Sequence, residues 1–128
     1  MKHKIETPEA PQAIGPYSQA IKIDKTIYFS GQIPLHPKTM ALVSEDFTEQ
    51  ARQVLTNLRA VSVAAGGSLE HIVKLTIYLT DLMHFSTLND LMIQFFKPPY
   101  PARSTVQVVA LPKAAKIEIE AVMVLEGP

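Results

Sequence analysis

Two acids and one arginine near the C-terminal end are the residue types best suited to chemistry. In Lys116-Ile117-Glu118-Ile119-Glu120-Ala121-Val122, alternation puts Glu118 and Glu120 on one face of a strand and Ile117 and Ile119 on the other. A solvated strand face accounts for such a pair. In a secluded pocket, two like charges at i and i+2 instead raise the pKa of one of them. Arg103 opens an apolar stretch directly after Pro101-Ala102, whereas Arg52 and Arg59 fall on the polar side of a helical pattern. Arg103 reads either as half of a surface ion pair or as a clamp for a carboxylate ligand, which its planar fork meets at two points. A four-residue turn at Leu111 to Ala114 pairs Ala110 with Ala115, Thr105 with Glu120 and Gln107 with Glu118. Arg103, Thr105, Gln107 and both acids then share a face. A turn one residue longer or shorter reverses that parity.

Further candidates lie upstream. Tyr17 follows a turn at Ile14-Gly15-Pro16 and reads as a core aromatic with a satisfied hydroxyl, or as a donor at a pocket rim. Ser30-Gly31-Gln32 interrupts a strand; glycine there implies a bulge or a close backbone approach, and Ser30 adds a donor. Asn89 sits beside an apolar helical stripe, where a polar side chain needs a partner. Cysteine is absent, which excludes disulfides, thiolate metal sites and a cysteine nucleophile. His3, His36, His71 and His84 are too widely spaced for a paired-histidine metal motif. No metal is expected.

These residues need elements to position them. Ser18 to Ile23 and Thr26 to Ile33 read as strands around a turn at Asp24-Lys25. From Asp46 to Ala65 the apolar residues Phe47, Ala51, Val54, Leu55, Leu58, Val61 and Ala65 recur at helical spacing. Asp46 and Glu49 have capping-box spacing, and Gly66-Gly67 is a C-terminal stop. His71 to Thr80 reads as a strand with Val73, Leu75, Ile77 and Leu79 on one face. His84 to Phe96 reads as a second helix, with Phe85, Leu88, Leu91, Met92, Phe95 and Phe96 on one side and Pro98-Pro99 beyond its end. Arg103 to Ala110 and Lys116 to Leu125 read as strands joined by a hairpin turn. The expected fold is α+β, a mixed sheet with two helices packed on one face. Val106, Val108, Ile117, Ile119, Val122 and Val124 are expected to leave the open sheet face apolar enough to require an oligomer.

Composition narrows the function classes. A chain of 128 residues, 47% hydrophobic and 19% charged, suits one globular domain spanning 1–128. Twelve basic and twelve acidic residues cancel, which argues against a dedicated nucleic-acid binder or a polybasic membrane anchor. No apolar run approaches the ~20 residues of a membrane span. The opening Met1-Lys2-His3-Lys4 lacks a signal-peptide stretch, so a cytoplasmic enzyme or binding domain is expected.

In combination these residues resemble the RidA/YjgF family, the reactive intermediate imine deaminases. The resemblance runs nearly end to end. It includes Ala13-Ile14-Gly15-Pro16-Tyr17-Ser18-Gln19-Ala20, Ser30-Gly31-Gln32-Ile33-Pro34, Gln50-Ala51-Arg52-Gln53 with Asn57-Leu58, and Val73-Lys74. It continues through the Asn89 helix, Pro101-Ala102-Arg103-Ser104, Leu111-Pro112-Lys113 and Lys116-Ile117-Glu118-Ile119-Glu120-Ala121. The resemblance implies a chorismate-mutase-like α+β fold assembled as a homotrimer, with clefts between subunits. It also implies cofactor-free hydrolysis of 2-imino acids and their enamine tautomers to 2-oxo acids and ammonia. Those substrates, 2-aminoacrylate or 2-iminopropanoate and 2-iminobutanoate, are released by pyridoxal-phosphate-dependent serine and threonine dehydratases. By family position Arg103 matches the arginine that holds the substrate carboxylate, and Thr105 a residue that assists through its backbone N–H. Tyr17 matches a tyrosine at the pocket, and Glu118 the carboxylate that positions water. Ser30, Gly31 and Asn89 match pocket residues supplied across the interface. Thr105 stands where many members have cysteine, and Phe96-Lys97-Pro98-Pro99-Tyr100 is shorter than in some members.

The chemistry suits the inventory. Imine hydrolysis proceeds unaided in water, so one positioned acid or base, worth roughly 10²–10⁴-fold, is enough. Glu118 is expected to orient the water; action as base or acid stays open. Two other classes compete: a non-catalytic sensor of small 2-oxo acids using the same cleft, and a ribonuclease or translation inhibitor, which the neutral charge and the absence of Trp and of a His pair disfavour.

Overall fold

The strand that carries both acids takes the middle of the sheet. The computed structural model describes residues 1–126; the last two residues of the expected 1–128 domain lie outside the described residues. In chain order the elements are β1 (His3–Ile5), β2 (Ala20–Ile23), β3 (Thr26–Gln32), α1 (Phe47–Ala64), β4 (Ile72–Leu79), α2 (Phe85–Phe95), β5 (Ala102–Gln107) and β6 (Ile117–Val124). The strands form one sheet in the order β1-β2-β3-β6-β4-β5. All neighbours are antiparallel except β4 and β5, which α2 connects as a parallel crossover. Both helices pack on one face, as expected, over a core that includes Leu55, Leu58, Ile77, Leu88, Ile117 and Ile119.

The expected β5–β6 hairpin does not form. β4 lies between these strands, and residues 112–114 make a single 3-10 turn in which Lys113 and Ala114 adopt φ of 61° and 56°. The reason is burial. Ile117, Ile119, Ala121 and Met123 are each at most 4% exposed, so β6 needs strands on both sides and a helix above. The more polar β5, with Arg103, Ser104, Thr105 and Gln107, is left at the edge.

Other elements follow the sequence with local corrections. Asp46 caps α1 by accepting from the Glu49 amide at 3.1 Å, but the Glu49 carboxylate turns to Ser44 Oγ at 3.0 Å, so half of the capping box forms. Gly66, at φ 96°, ends α1, and the Gly67 amide donates back to Ser62 O at 3.0 Å. A register shift between Ile72 and Lys74 turns Ile72 inward and leaves Val73 46% exposed, outside the core face expected for it. β1, three residues on the far edge, is too short to show a period in the sequence. Buried Gln50 pins the start of β6, accepting from the Lys116 amide and donating to Ser44 O, each at 2.8 Å.

The open face differs from the one expected. Ile117 and Ile119 point to the helices, and Val108 lies beyond β5. Register leaves Tyr28, Tyr78, Val106, Val122 and Val124 on the open face, together with Glu118 and Glu120. No helix among the described residues is long and apolar enough to cross a membrane.

Candidate functional site

Arg103 sits on the edge strand and faces α2. Its Nη1 donates to Asn89 Oδ1 at 2.7 Å and approaches Met92 Sδ at 3.4 Å. The guanidinium carbon stands 5.0 Å from the centre of the Phe85 ring, a cation–π contact. Three side chains from one helix face therefore fix the plane of the fork. The ion pair found among the described residues joins Lys4 and Glu6, so Arg103 is held by neutral groups with no acid against it. For Arg103, the alternative of surface ion pairing is not found among the described residues. A cavity of about 310 Å³ opens beside it, lined by Asn89, Met92, Ile93, Tyr100, Pro101 and Arg103. Thr105, two residues along the same strand face, has a buried hydroxyl oxygen without a hydrogen-bond partner among the described residues. A buried polar group left unpaired costs free energy unless something else satisfies it.

The acids occupy the other face. β4 pairs Leu75 with Arg103 on one side and with Ala121 on the other, which places Arg103 with the buried, helix-facing set. It pairs Tyr78 with both Val106 and Glu118, and Thr76 with both Ser104 and Glu120, all on the open face. The face expected to be shared by Arg103, Thr105 and the two acids is therefore split. Two strand spacings, about 10 Å, and the thickness of the sheet separate Arg103 from Glu118 within one chain. With β4 between β5 and β6, the hairpin register that would place these residues on one face does not arise.

Glu118 is half-buried and has its own surroundings. β3 bulges between Phe29 and Gln32, as the glycine in that strand implied, and Gly31 comes directly under the Glu118 side chain. A Cβ on Gly31 would overlap the Glu118 carboxylate oxygen and lie 2.8 Å from its Cδ. Burial first, and the charge on Glu120 second, raise the Glu118 pKa above the ordinary carboxylate value. Glu120 accepts a 2.5 Å hydrogen bond from the Tyr78 hydroxyl.

The N-terminal candidates gather on the Glu118 side. Tyr17 and Gly31 line one cavity of about 220 Å³, together with Pro112 and Lys113 of the turn before β6. Tyr17 is 53% exposed, so it is a rim residue and not a core aromatic. Ser30 uses its hydroxyl internally, donating to Ser18 O at 2.5 Å, while its amide donates to Gln19 O at 3.0 Å. Asn89, expected to reach the site from across an interface together with Ser30 and Gly31, instead serves Arg103 of its own chain. Two half-sites result: Arg103, Asn89 and Thr105 on one face, and Tyr17, Ser30, Gly31 and Glu118 on the other.

Phe85, Met92 and Tyr78 were not foreseen as site residues. Phe85 and Met92 read simply as members of an apolar stripe, and no sequence signal separates a ring that buries itself from one that supports a cation. Tyr78 carried a signal that was readable: it alternates with the core residues Ile77 and Leu79.

The fold defines the class, an α+β domain in which a six-stranded mixed sheet carries two helices on one face. A family model described as Endoribonuclease L-PSP matches residues 7–125. The human 2-iminobutanoate/2-iminopropanoate deaminase is 47% identical over 128 residues, covering all of this chain and 93% of that protein. The crystal structure of RidA from the Antarctic bacterium Psychrobacter sp. PAMC 21119 superposes with a TM-score of 0.93 at 47% identity, covering 96% of this chain and 99% of that one. That of E. coli TdcF with bound serine gives 0.91 at 46% identity, covering 97% and 99%. The chain belongs to this Endoribonuclease L-PSP family, the RidA/YjgF family that its motifs resemble.

Proposed function

We propose that this chain hydrolyses 2-iminopropanoate, its enamine 2-aminoacrylate, and 2-iminobutanoate, as released by pyridoxal-phosphate-dependent serine and threonine dehydratases. Water adds to the C=N carbon, a proton passes to nitrogen, and the C–N bond breaks to give a 2-oxo acid and ammonia. The observation that carries this reading is Arg103, whose fork is oriented by Asn89, Met92 and Phe85 and has no acid against it among the described residues. A carboxylate is the group that satisfies it, and every 2-imino acid has one. The deaminase name of relatives such as the human protein, and the serine bound to TdcF, agree with a small substrate bearing nitrogen beside a carboxylate.

Water activation falls to Glu118. Because Glu118 and Arg103 lie on opposite faces, one chain cannot bring both to a substrate of three or four carbons. The proposal therefore includes a homotrimer in which the Arg103 half-site of one copy meets the Glu118 half-site of the next. The open sheet face, with Tyr28, Val122 and Val124 around the acids, supplies the apolar surface for that contact. At the seam Arg103 clamps the carboxylate, assisted by the backbone N–H of Thr105. Tyr17 lines the rim, Ser30 and Gly31 form the floor, and Glu118 orients the water. A single globular domain and a cytoplasmic setting belong to the same proposal.

The test couples the protein to threonine dehydratase and times the release of 2-oxobutanoate. Release accelerates with the parent protein and returns to the uncatalysed rate with Arg103→Ala. Glu118→Gln slows turnover by about 10²-fold while retaining product binding. Equal loss of binding and turnover removes Glu118 from the water-orienting role. Acceleration that survives Arg103→Ala defeats the reading.

A further inference from the structure

Two acids stand two residues apart on one strand face, and the structure gives a reason why only one of them is free to work. Tyr78 lies directly opposite Glu118 in the β4–β6 register, whereas Thr76 lies opposite Glu120. The Tyr78 hydroxyl nevertheless reaches diagonally and donates to Glu120 Oε1 at 2.5 Å. Diagonal neighbours on a sheet lie within the reach of an aromatic side chain. From this geometry we propose that Tyr78 is a positioning residue: it ties Glu120 to β4 as a fixed hydrogen-bond acceptor and leaves Glu118 as the one acid at the site free to orient water. The inference rests on the hydrolytic reading above and adds a residue to it.

The hydroxyl bond holds the Glu120 carboxylate in one place on the sheet face it shares with Glu118, whose pKa is raised by burial first and by Glu120 second. The Tyr78 hydroxyl is itself held above its ordinary pKa, chiefly by the bond to Glu120, with burial and the two acidic charges adding to it. It thus stays a donor through the neutral range. The other titratable groups on this sheet face are Lys74 of β4, Tyr28 of β3 and, at the far edge, Lys4 of β1; β5 and β2 bring Ser104, Val106, Ile21 and Ile23.

The experiment follows the side-chain carboxyl of Glu118 by carbon-13 NMR across pH, assigned with Glu118→Gln, alongside the pH profile of kcat/KM. Tyr78→Phe moves the Glu118 midpoint to lower pH, and the acid limb of the profile follows, so that the rate on that limb rises about twofold relative to its plateau. Glu120→Gln moves the midpoint the same way, and this second variant keeps the test available if Tyr78→Phe does not fold. In the Glu120→Gln background, Tyr78→Phe adds no further shift, because the tyrosine acts through that acid. An unmoved Glu118 midpoint in Tyr78→Phe, or an equal shift with Glu120 already neutral, overturns the inference. The hydrolytic reading fails separately, when Glu118→Gln keeps full activity and the acid limb, and the NMR midpoint remains readable in that event.

Discussion

The two faces of the sheet solve different problems. On the helix side, Arg103 is oriented before any ligand arrives: Asn89 accepts from its Nη1, the Phe85 ring supports its charge, and Met92 lies against the same nitrogen. On the open side, Glu118 meets burial and a like charge, and both disfavour its ionised form. On the proposed function, one half is a prebuilt receptor and the other is held at an energetic disadvantage. Sites that bind a constant group gain from preorganisation, while a group that handles protons needs a pKa moved toward working pH. The comparison also explains the placement in the fold. A receptor suits the edge strand, where a ligand can approach. A tuned acid suits the central strand, where neighbours on both sides control its environment.

Breaking the receptor half gives the largest effect. Arg103→Lys keeps the charge and loses the fork. Two charge-assisted hydrogen bonds become at best one, which predicts a fall in kcat/KM of about 10²-fold. Steady-state kinetics on dehydratase-generated 2-iminobutanoate measure it, and a fully active lysine variant removes the clamp from the comparison. Joining the halves is the next test. Arg103→Ala alone is inactive and Glu118→Gln alone keeps about a hundredth of the activity, yet a mixture unfolded and reassembled together regains far more, because some seams receive Arg103 from one variant and Glu118 from the other. Random mixing at equal amounts restores about a quarter of the sites. Recovery of none means that each chain completes its own site.

Most of the fold was legible because most of it obeys a period. The stripe Phe47, Ala51, Val54, Leu55, Leu58 and Val61 is buried as read, and the alternation of Ile117, Glu118, Ile119 and Glu120 is the alternation the strand shows. Strand order was not legible. A turn such as Leu111-Pro112-Lys113-Ala114 records where the chain bends, and nothing in it records that β4 occupies the space between the two strands it connects. That one non-local fact moved Arg103 to the face opposite Glu118. Candidate site residues were legible where their chemistry was out of place in a strand or helix, as with Arg103, Gly31 and Asn89. They were hidden where the same side chain also serves as core, as with Phe85 and Met92.

A smaller perturbation acts on the notch under the acid. Gly31 adopts a φ that other residues tolerate, so Gly31→Ala does not strain the backbone, but its Cβ displaces the Glu118 carboxyl group. The end of a glutamate side chain can move aside, and the fold survives. The expected result is about a tenfold loss in kcat, since geometry and not an essential group is lost. KM changes little because the Arg103 half is untouched. A loss confined to KM, with kcat unchanged, separates Gly31 from the acid.

The smallest effect is on stability, and its sign is the informative part. The folded-state pKa of Glu118 is raised above its unfolded value, by burial first and by Glu120 second. The folded chain therefore binds a proton at this site more tightly than the unfolded chain does, and stability contributed by Glu118 falls as pH rises from the ordinary carboxylate value through the raised one. Below that window the protonated carboxyl adds no penalty; above it the half-buried anion does. Glu118→Gln removes the titrating group, so the variant melts at or slightly above the parent temperature at neutral pH, and the difference closes as the solution is acidified through the window. Thermal unfolding across pH measures both. A variant that melts lower than the parent at neutral pH, or a gap that widens on acidification, shows that the acid is a net stabilising contact, and the contrast between a preorganised arginine and an energetically disfavoured acid then fails on its second half.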